Sequence, residues 1–175
     1  MLELTEQNYL TWQKKLRASA LYRVWWQFWS NYSLLILFIL PVCILRGRLS
    51  WQTLLIAFGA FVIARFVVIT ILNLFYQKPR PYQKYNFEPI ASKLLSWKTS
   101  RQTSFPSRHM ISLGAIAGVI LLDNLWLGLV LFVVAALAGL GRVRLGFHDY
   151  YDISVGLVLG GVIGVMVWFS FFALF

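Results

Sequence analysis

An all-α bundle that crosses a membrane several times is the fold this sequence predicts, and three observations carry it. Hydrophobic residues fill 59% of the 175 positions and charged residues only 13%, whereas a soluble domain holds about a quarter charged residues. Apolar runs of membrane-spanning length recur between short polar turns. Eight Trp and fourteen Phe supply the aromatic side chains that gather at membrane–water boundaries. Together with a mean hydropathy of +0.70, these features imply a polytopic membrane protein with about five transmembrane helices. The length fits a single domain, residues 1–175.

The elements follow in order. Residues 1–9 are polar and show no leader pattern, so insertion is expected from internal spans. Residues 1–29 read as an amphipathic interfacial segment, with Leu10, Trp12, Leu16, Leu21, Trp25, Trp26, Phe28 and Trp29 among charged residues. The first span is expected over 32–45, interrupted by Pro41, and holds the single Cys43, which reads as a small buried hydrophobe. Arg46, Gly47 and Arg48 make a tight turn before a second span over 49–76. The long polar loop, 77–108, contains Pro79, Pro81, Pro89 and Pro106, which forbid one continuous helix. Within it, residues 89–97 are expected to form a small interfacial helix. A short third span over 109–122 turns at Asp123 and Asn124 into a fourth over 125–141, and a fifth covers 153–175. Gly114 and Gly118, and then Gly156, Gly160 and Gly164, recur every four residues, a spacing that lets helix backbones approach closely in lipid.

Because spans alternate sides, the end of span two, the start of span three, the end of span four and the start of span five share one membrane face. Polar residues fall at each place: Lys78 with Arg80, Ser107-Arg108-His109, Arg142 with Arg144, and His148 with Asp152. Both histidines of the chain are in this set. His148 and Asp152 are four residues apart, a spacing that sets two side chains on one helical face. A carboxylate accepting from one imidazole nitrogen would fix the tautomer and leave the other nitrogen to attack. Asp149 is the weaker partner. Clustered arginines repel a divalent cation and match phosphate oxygens two hydrogen bonds at a time, so a metal is not expected. Phosphoryl transfer requires in-line attack and cations on the equatorial oxygens. Arg80, Arg108 and Arg142 are suited to that role, one histidine to attack and the other to protonation of the leaving oxygen. The amide groups that open span three add a helix N-terminus facing the anion.

This pattern resembles the type 2 phosphatidic acid phosphatase (PAP2) superfamily. The first part of the family signature, a lysine, six residues, then Arg-Pro, aligns with Asn73, Arg80 and Pro81. The second, Pro-Ser-x-His, aligns with Pro106, Ser107, Arg108 and His109. The third, Ser-Arg, five residues, His, three residues, Asp, aligns with Gly141, Arg142, His148 and Asp152. The resemblance implies that His148 is the nucleophile that becomes phosphohistidine, Asp152 its orienting partner and His109 the general acid. It implies that Arg80 and Arg142 bind phosphate, with Ser107 and the Arg108 backbone alongside, and that no metal or other cofactor takes part. Two positions depart from the pattern: Asn73 stands for the family lysine and Gly141 for the serine. Lys78, five residues on, is a candidate for the missing cation, and Asn73 a candidate phosphate ligand.

The implied partner is a phosphorylated membrane lipid within the bilayer. Nucleic acid is a poor fit, because the basic residues are separated by spans. Oligomeric state is not legible. The N-terminal segment and the site loops hold thirteen of the sixteen Lys and Arg residues, against Arg46 and Arg48 on the opposite side and Arg65 inside span two. Positive charge on the cytoplasmic side would put the site inside. The resemblance implies the outer face of a bacterial plasma membrane, and phosphate binding accounts for several of the cations. The small size and the Ser-Phe-Pro-Ser-Arg-His stretch resemble undecaprenyl diphosphate phosphatases. Phosphatidylglycerophosphate, lipid A 1-phosphate, transfer of phosphate to another acceptor and a decayed, lipid-binding protein are the alternatives.

Overall fold

The computed structural model describes residues 4–44, 50–90 and 103–174, and among them there is helix and loop but no strand. Helix α1 (Glu6–Ala18) starts at Thr5, whose amide donates to Asn8 Oδ1 at 3.1 Å. It buries Tyr9, Gln13 and Leu16, which lie on one face of the helix. The helix ends earlier than the sequence predicted. Ser19 is extended (φ −125°, ψ 116°), and α2 (Ala20–Ile44) begins at once. Trp25, Trp26 and Trp29 therefore belong to α2 and not to the surface segment. An interfacial anchor and a helix–helix contact use the same aromatic residues, so composition does not separate them.

The second span is one run from Trp51 to Phe75, made of α3 (Trp51–Val62), a π-helical segment (Ile63–Val68) and α4 (Ile69–Phe75). Ser50 caps its start by accepting from the Thr53 amide at 3.1 Å. After the single turn α5 (Pro81–Lys84) come α6 (Arg108–Asp123), α7 (Leu125–Arg144) and α8 (Tyr150–Leu174). Of the five expected spans, three among the described residues are long and apolar enough to cross a membrane: Trp51–Phe75, Leu125–Arg144 and Tyr150–Ala173. At 16 residues, α6 is about 24 Å long, shorter than the roughly 30 Å hydrocarbon layer. It does not have to match the bilayer alone, because every residue from Met110 to Ile120 is buried among other helices. The expected turn at 46–48 and most of the expected helix at 89–97 lie outside the described residues.

α6 is the central helix and α8 its closest neighbour. The glycines account for the approach. A Cβ on Gly160 would stand 2.2 Å from the Ile111 carbonyl oxygen, and one on Gly114 2.4 Å from that of Leu157. The two glycine stripes face each other, backbone against backbone. Between helices in lipid the hydrophobic effect supplies little, and close van der Waals packing takes its place. Outside this core Phe66, Leu74, Phe75, Trp126, Val158, Met166 and Phe169 point away from the bundle, as a lipid-facing surface requires.

Candidate active site

The site lies where the first turns of α6 and α8, the last turn of α7 and the loop after α4 meet. α7 stops in a glycine turn. Gly146 is left-handed (φ +83°), the Phe147 amide donates to the Arg142 carbonyl, and the Gly146 amide donates to that of Val143, both at 2.9 Å. This is the double closure of a Schellman motif. A side chain at position 146 would also collide with the Phe87 ring, 2.6 Å away. The turn sends the chain straight into Phe147, His148 and the cap of α8. There Asp149 Oδ1 accepts from the Asp152 amide at 3.0 Å and Asp152 Oδ2 accepts from the Asp149 amide at 3.2 Å, a reciprocal capping box.

The position of His148 differs from the sequence expectation in one respect. It precedes α8 rather than lying on it, and its Nδ1 is 3.8 Å from Asp152 Oδ2, beyond hydrogen-bond range. The nearest partner of Nδ1 is the carbonyl oxygen of Ser104, at 2.8 Å. A carbonyl only accepts, so Nδ1 carries the proton and Nε2 keeps its lone pair. The tautomer needed for attack is set by a backbone group that no side-chain pattern announces.

Ser104 opens the Ser-Phe-Pro-Ser-Arg-His stretch, but its central place in the structure is not visible in that pattern. Its amide donates to the Lys78 carbonyl at 2.7 Å, and its hydroxyl donates to Asp152 Oδ2. Lys78 Nζ binds Asp152 Oδ1 at 2.8 Å and also Asp149 Oδ2. Lys78 is thus turned to the two carboxylates. Burial works against its charge, but the hydrogen bonds to Asp149 and Asp152 more than offset this and raise its pKa. Asn73 accepts from Thr103 Oγ1 at 2.8 Å and so steadies the residue before Ser104. Asp149, the weaker partner on sequence grounds, both caps α8 and holds Lys78.

The remaining residues surround this cluster. The Ser107 amide donates to the Asp152 carbonyl at 3.1 Å, which joins the start of α6 to that of α8. Arg80 and Arg142 are buried and close enough to His148 for their charges to act on it. Arg142 also lies under the Phe147 ring, 5.5 Å from its centroid. His109 is within electrostatic reach of Arg142 and His148. Ser107 Oγ, His109 Nε2 and Arg142 Nε are buried without a hydrogen-bond partner among the described residues, so three polar atoms of three signature residues await a ligand. Arg144 is turned elsewhere, 4.3 Å from the Trp12 ring centroid. Burial, with Arg142 and Arg80 nearby, pushes the His148 imidazole down to about 4 against the pull of the Asp152 carboxylate. The side chain is therefore neutral and nucleophilic at physiological pH. Burial also lowers Arg80.

A family model, that of the PAP2 superfamily, matches residues 53–175. The chain belongs to the PAP2 superfamily. Among curated proteins and among solved structures, none matches it. PAP2 members are phosphatases acting on phosphorylated substrates, which puts the general chemistry in the phosphoric ester hydrolase class. With its three long apolar helices, this PAP2 chain is an integral membrane protein. α1 sits at the same end of the bundle as the site. Tyr9 Oη donates to the His148 carbonyl at 3.3 Å, Gln13 to that of Leu145 at 3.3 Å, and Tyr85 Oη to that of Leu4 at 3.1 Å. Among the described residues no group of three or more His, Cys, Asp or Glu is arranged to hold a metal ion.

Proposed function

We propose that this protein is a metal-independent lipid phosphate or diphosphate phosphatase that works through a phosphohistidine intermediate, with undecaprenyl diphosphate as its substrate. The observation that carries the reading is the 2.8 Å bond from His148 Nδ1 to the Ser104 carbonyl, which leaves Nε2 as a free base within electrostatic reach of Arg80 and Arg142. Nε2 attacks the terminal phosphorus, and the bond from phosphorus to the leaving oxygen breaks. His109 gives that oxygen its proton. Arg80 and Arg142, with Ser107 Oγ and the Arg108 amide, hold the equatorial oxygens. Water then attacks the phosphohistidine, with His109 taking a proton from it, and phosphate leaves. Asp152, held by Lys78 and Ser104, balances the positive charge of the phosphorylated imidazole.

A cluster of buried Arg80, Arg142 and His148 at one end of an apolar bundle suits a substrate whose phosphate sits at the bilayer edge and whose tail stays in lipid. The test is phosphate release by the detergent-solubilised full chain in EDTA, with undecaprenyl diphosphate, phosphatidylglycerophosphate, phosphatidic acid and lipid A, beside His148→Ala. Release from the diphosphate that His148→Ala abolishes is expected. Full activity in His148→Ala would end the mechanism, and preference for another lipid would replace the substrate. The site faces the outer side of a bacterial plasma membrane. In a variant lacking Cys43, Lys93→Cys should react with an impermeant thiol reagent added outside and Gly47→Cys should not. The reverse pattern would place the site inside.

A further inference from the structure

One cation that the signature residues leave unused lies inside a membrane span. Arg65 lies in the π-helical segment of the second span, ten residues before that span ends at Phe75 and hence about 15 Å along the axis from it. A guanidinium inside a span is expensive and ordinarily has a partner or a function. Its contacts here are neutral. Nη1 donates to Ser112 Oγ at 3.4 Å, and the group lies 5.8 Å from the Phe61 ring centroid. No ion pair joins it to a carboxylate among the described residues. The charges that act on it are positive, since it is within electrostatic reach of Arg108 and Arg142.

Its place relative to the chemistry is specific. Ser112 is one turn deeper along α6 than His109, and its hydroxyl donates back to the Arg108 carbonyl at 2.8 Å. The Arg65 guanidinium therefore sits on the membrane side of the leaving-group acid, away from His148 and Asp152. A π-helical insertion is a known means of re-aiming side chains within a helix, and here it coincides with the only charged residue of the span.

We propose that Arg65 forms a second anion subsite, which binds the phosphate attached to the lipid while the terminal phosphate is transferred to His148, and so selects lipid diphosphates over monophosphates. This rests on the phosphatase reading above. Attack by His148 Nε2 on the terminal phosphorus breaks its bond to the bridging oxygen. His109 protonates that oxygen, and the product is the lipid monophosphate, whose charge Arg65 meets. Water cleaves the phosphohistidine and returns the enzyme. With a monophosphate substrate the subsite stays empty, so Arg65 contributes to one substrate class and not the other.

The experiment compares the full chain with Arg65→Gln and Arg65→Lys in detergent. One arm measures kcat/KM for farnesyl diphosphate and farnesyl monophosphate. The preference for diphosphate should fall at least about tenfold in Arg65→Gln, the range of one charge-assisted hydrogen bond, and Arg65→Lys should keep part of it. Equal losses on both substrates, or none, would overturn the proposal. The second arm measures binding of a non-hydrolysable farnesyl methylenediphosphonate and of farnesyl phosphonate, where Arg65→Gln should weaken the first about tenfold more than the second. Binding that depends on Arg65, in a protein that releases no phosphate, would sink the phosphatase reading and keep the subsite. Equal affinities in the three proteins, or no binding by any of them, would sink the subsite itself.

Discussion

Asp152→Asn separates two accounts of what the buried carboxylate does. If Asp152 fixed the His148 tautomer, an amide there would invert it and cost about 10⁴ in kcat, as in a triad whose imidazole is held the wrong way round. The geometry gives that task to the Ser104 carbonyl, 2.8 Å from Nδ1, and leaves Asp152 at 3.8 Å. What the amide removes is a negative charge beside an imidazole that, in the proposed mechanism, becomes positive when phosphorylated. At that separation and an effective dielectric constant of about 20, the attraction is about 4 kcal/mol. Lys78, at 2.8 Å from the same carboxylate, opposes the imidazolium and takes back part of it. The expected loss in kcat is therefore about 10- to 1,000-fold, with the tautomer unchanged. Single-turnover kinetics give the rate, and ¹⁵N resonances of labelled His148 report which nitrogen carries the proton. An Asp152→Asn protein with the proton moved to Nε2, or with kcat down by 10⁴ or more, would refute the assignment to Ser104.

Two further outcomes rest on the same geometry. In the proposed mechanism His148 is neutral when it attacks, and its pKa is held down at about 4, so kcat/KM should rise with pH through an acid limb near 4 and be flat above it until another group titrates. A limb at the ordinary histidine value would mean that water reaches the ring in the free enzyme. Gly160→Ala puts a Cβ 2.2 Å from the Ile111 carbonyl, which only a backbone shift relieves. A loss of about 1–3 kcal/mol is expected, read as a lower unfolding midpoint in detergent, and an unchanged midpoint would mean that α6 and α8 are not in backbone contact.

Much of this arrangement is legible in the amino-acid sequence. Alternating spans bring Arg80, His109, Arg142 and His148 to one end of the bundle, and that follows from counting apolar runs. The facing glycine stripes were legible because their spacing has a geometric meaning in any helix. The break at Ser19 was not, because aromatic residues serve both surface and interior. Nor was Ser104: it acts on His148 through a carbonyl, and every residue has one. Lys78 reads in sequence as one more phosphate-seeking cation. Only the folded chain shows that the cap of α8 turns two carboxylates toward it.

The facing glycines also bear on how such a site can change. His109 and Ser107 ride on α6, and Asp152 with the His148 turn rides on α8, so contact between two main chains sets the spacing of the elements that carry the proposed general acid and nucleophile. That spacing is fixed by main-chain packing and does not depend on a side-chain rotamer. Arg80, Arg142 and Arg65 reach in from other elements on long flexible stems. The chain thus divides into a stiff reaction axis and an adjustable clamp. Substitutions around the clamp can retune which headgroup is held while the axis, and with it the chemistry, stays as it is.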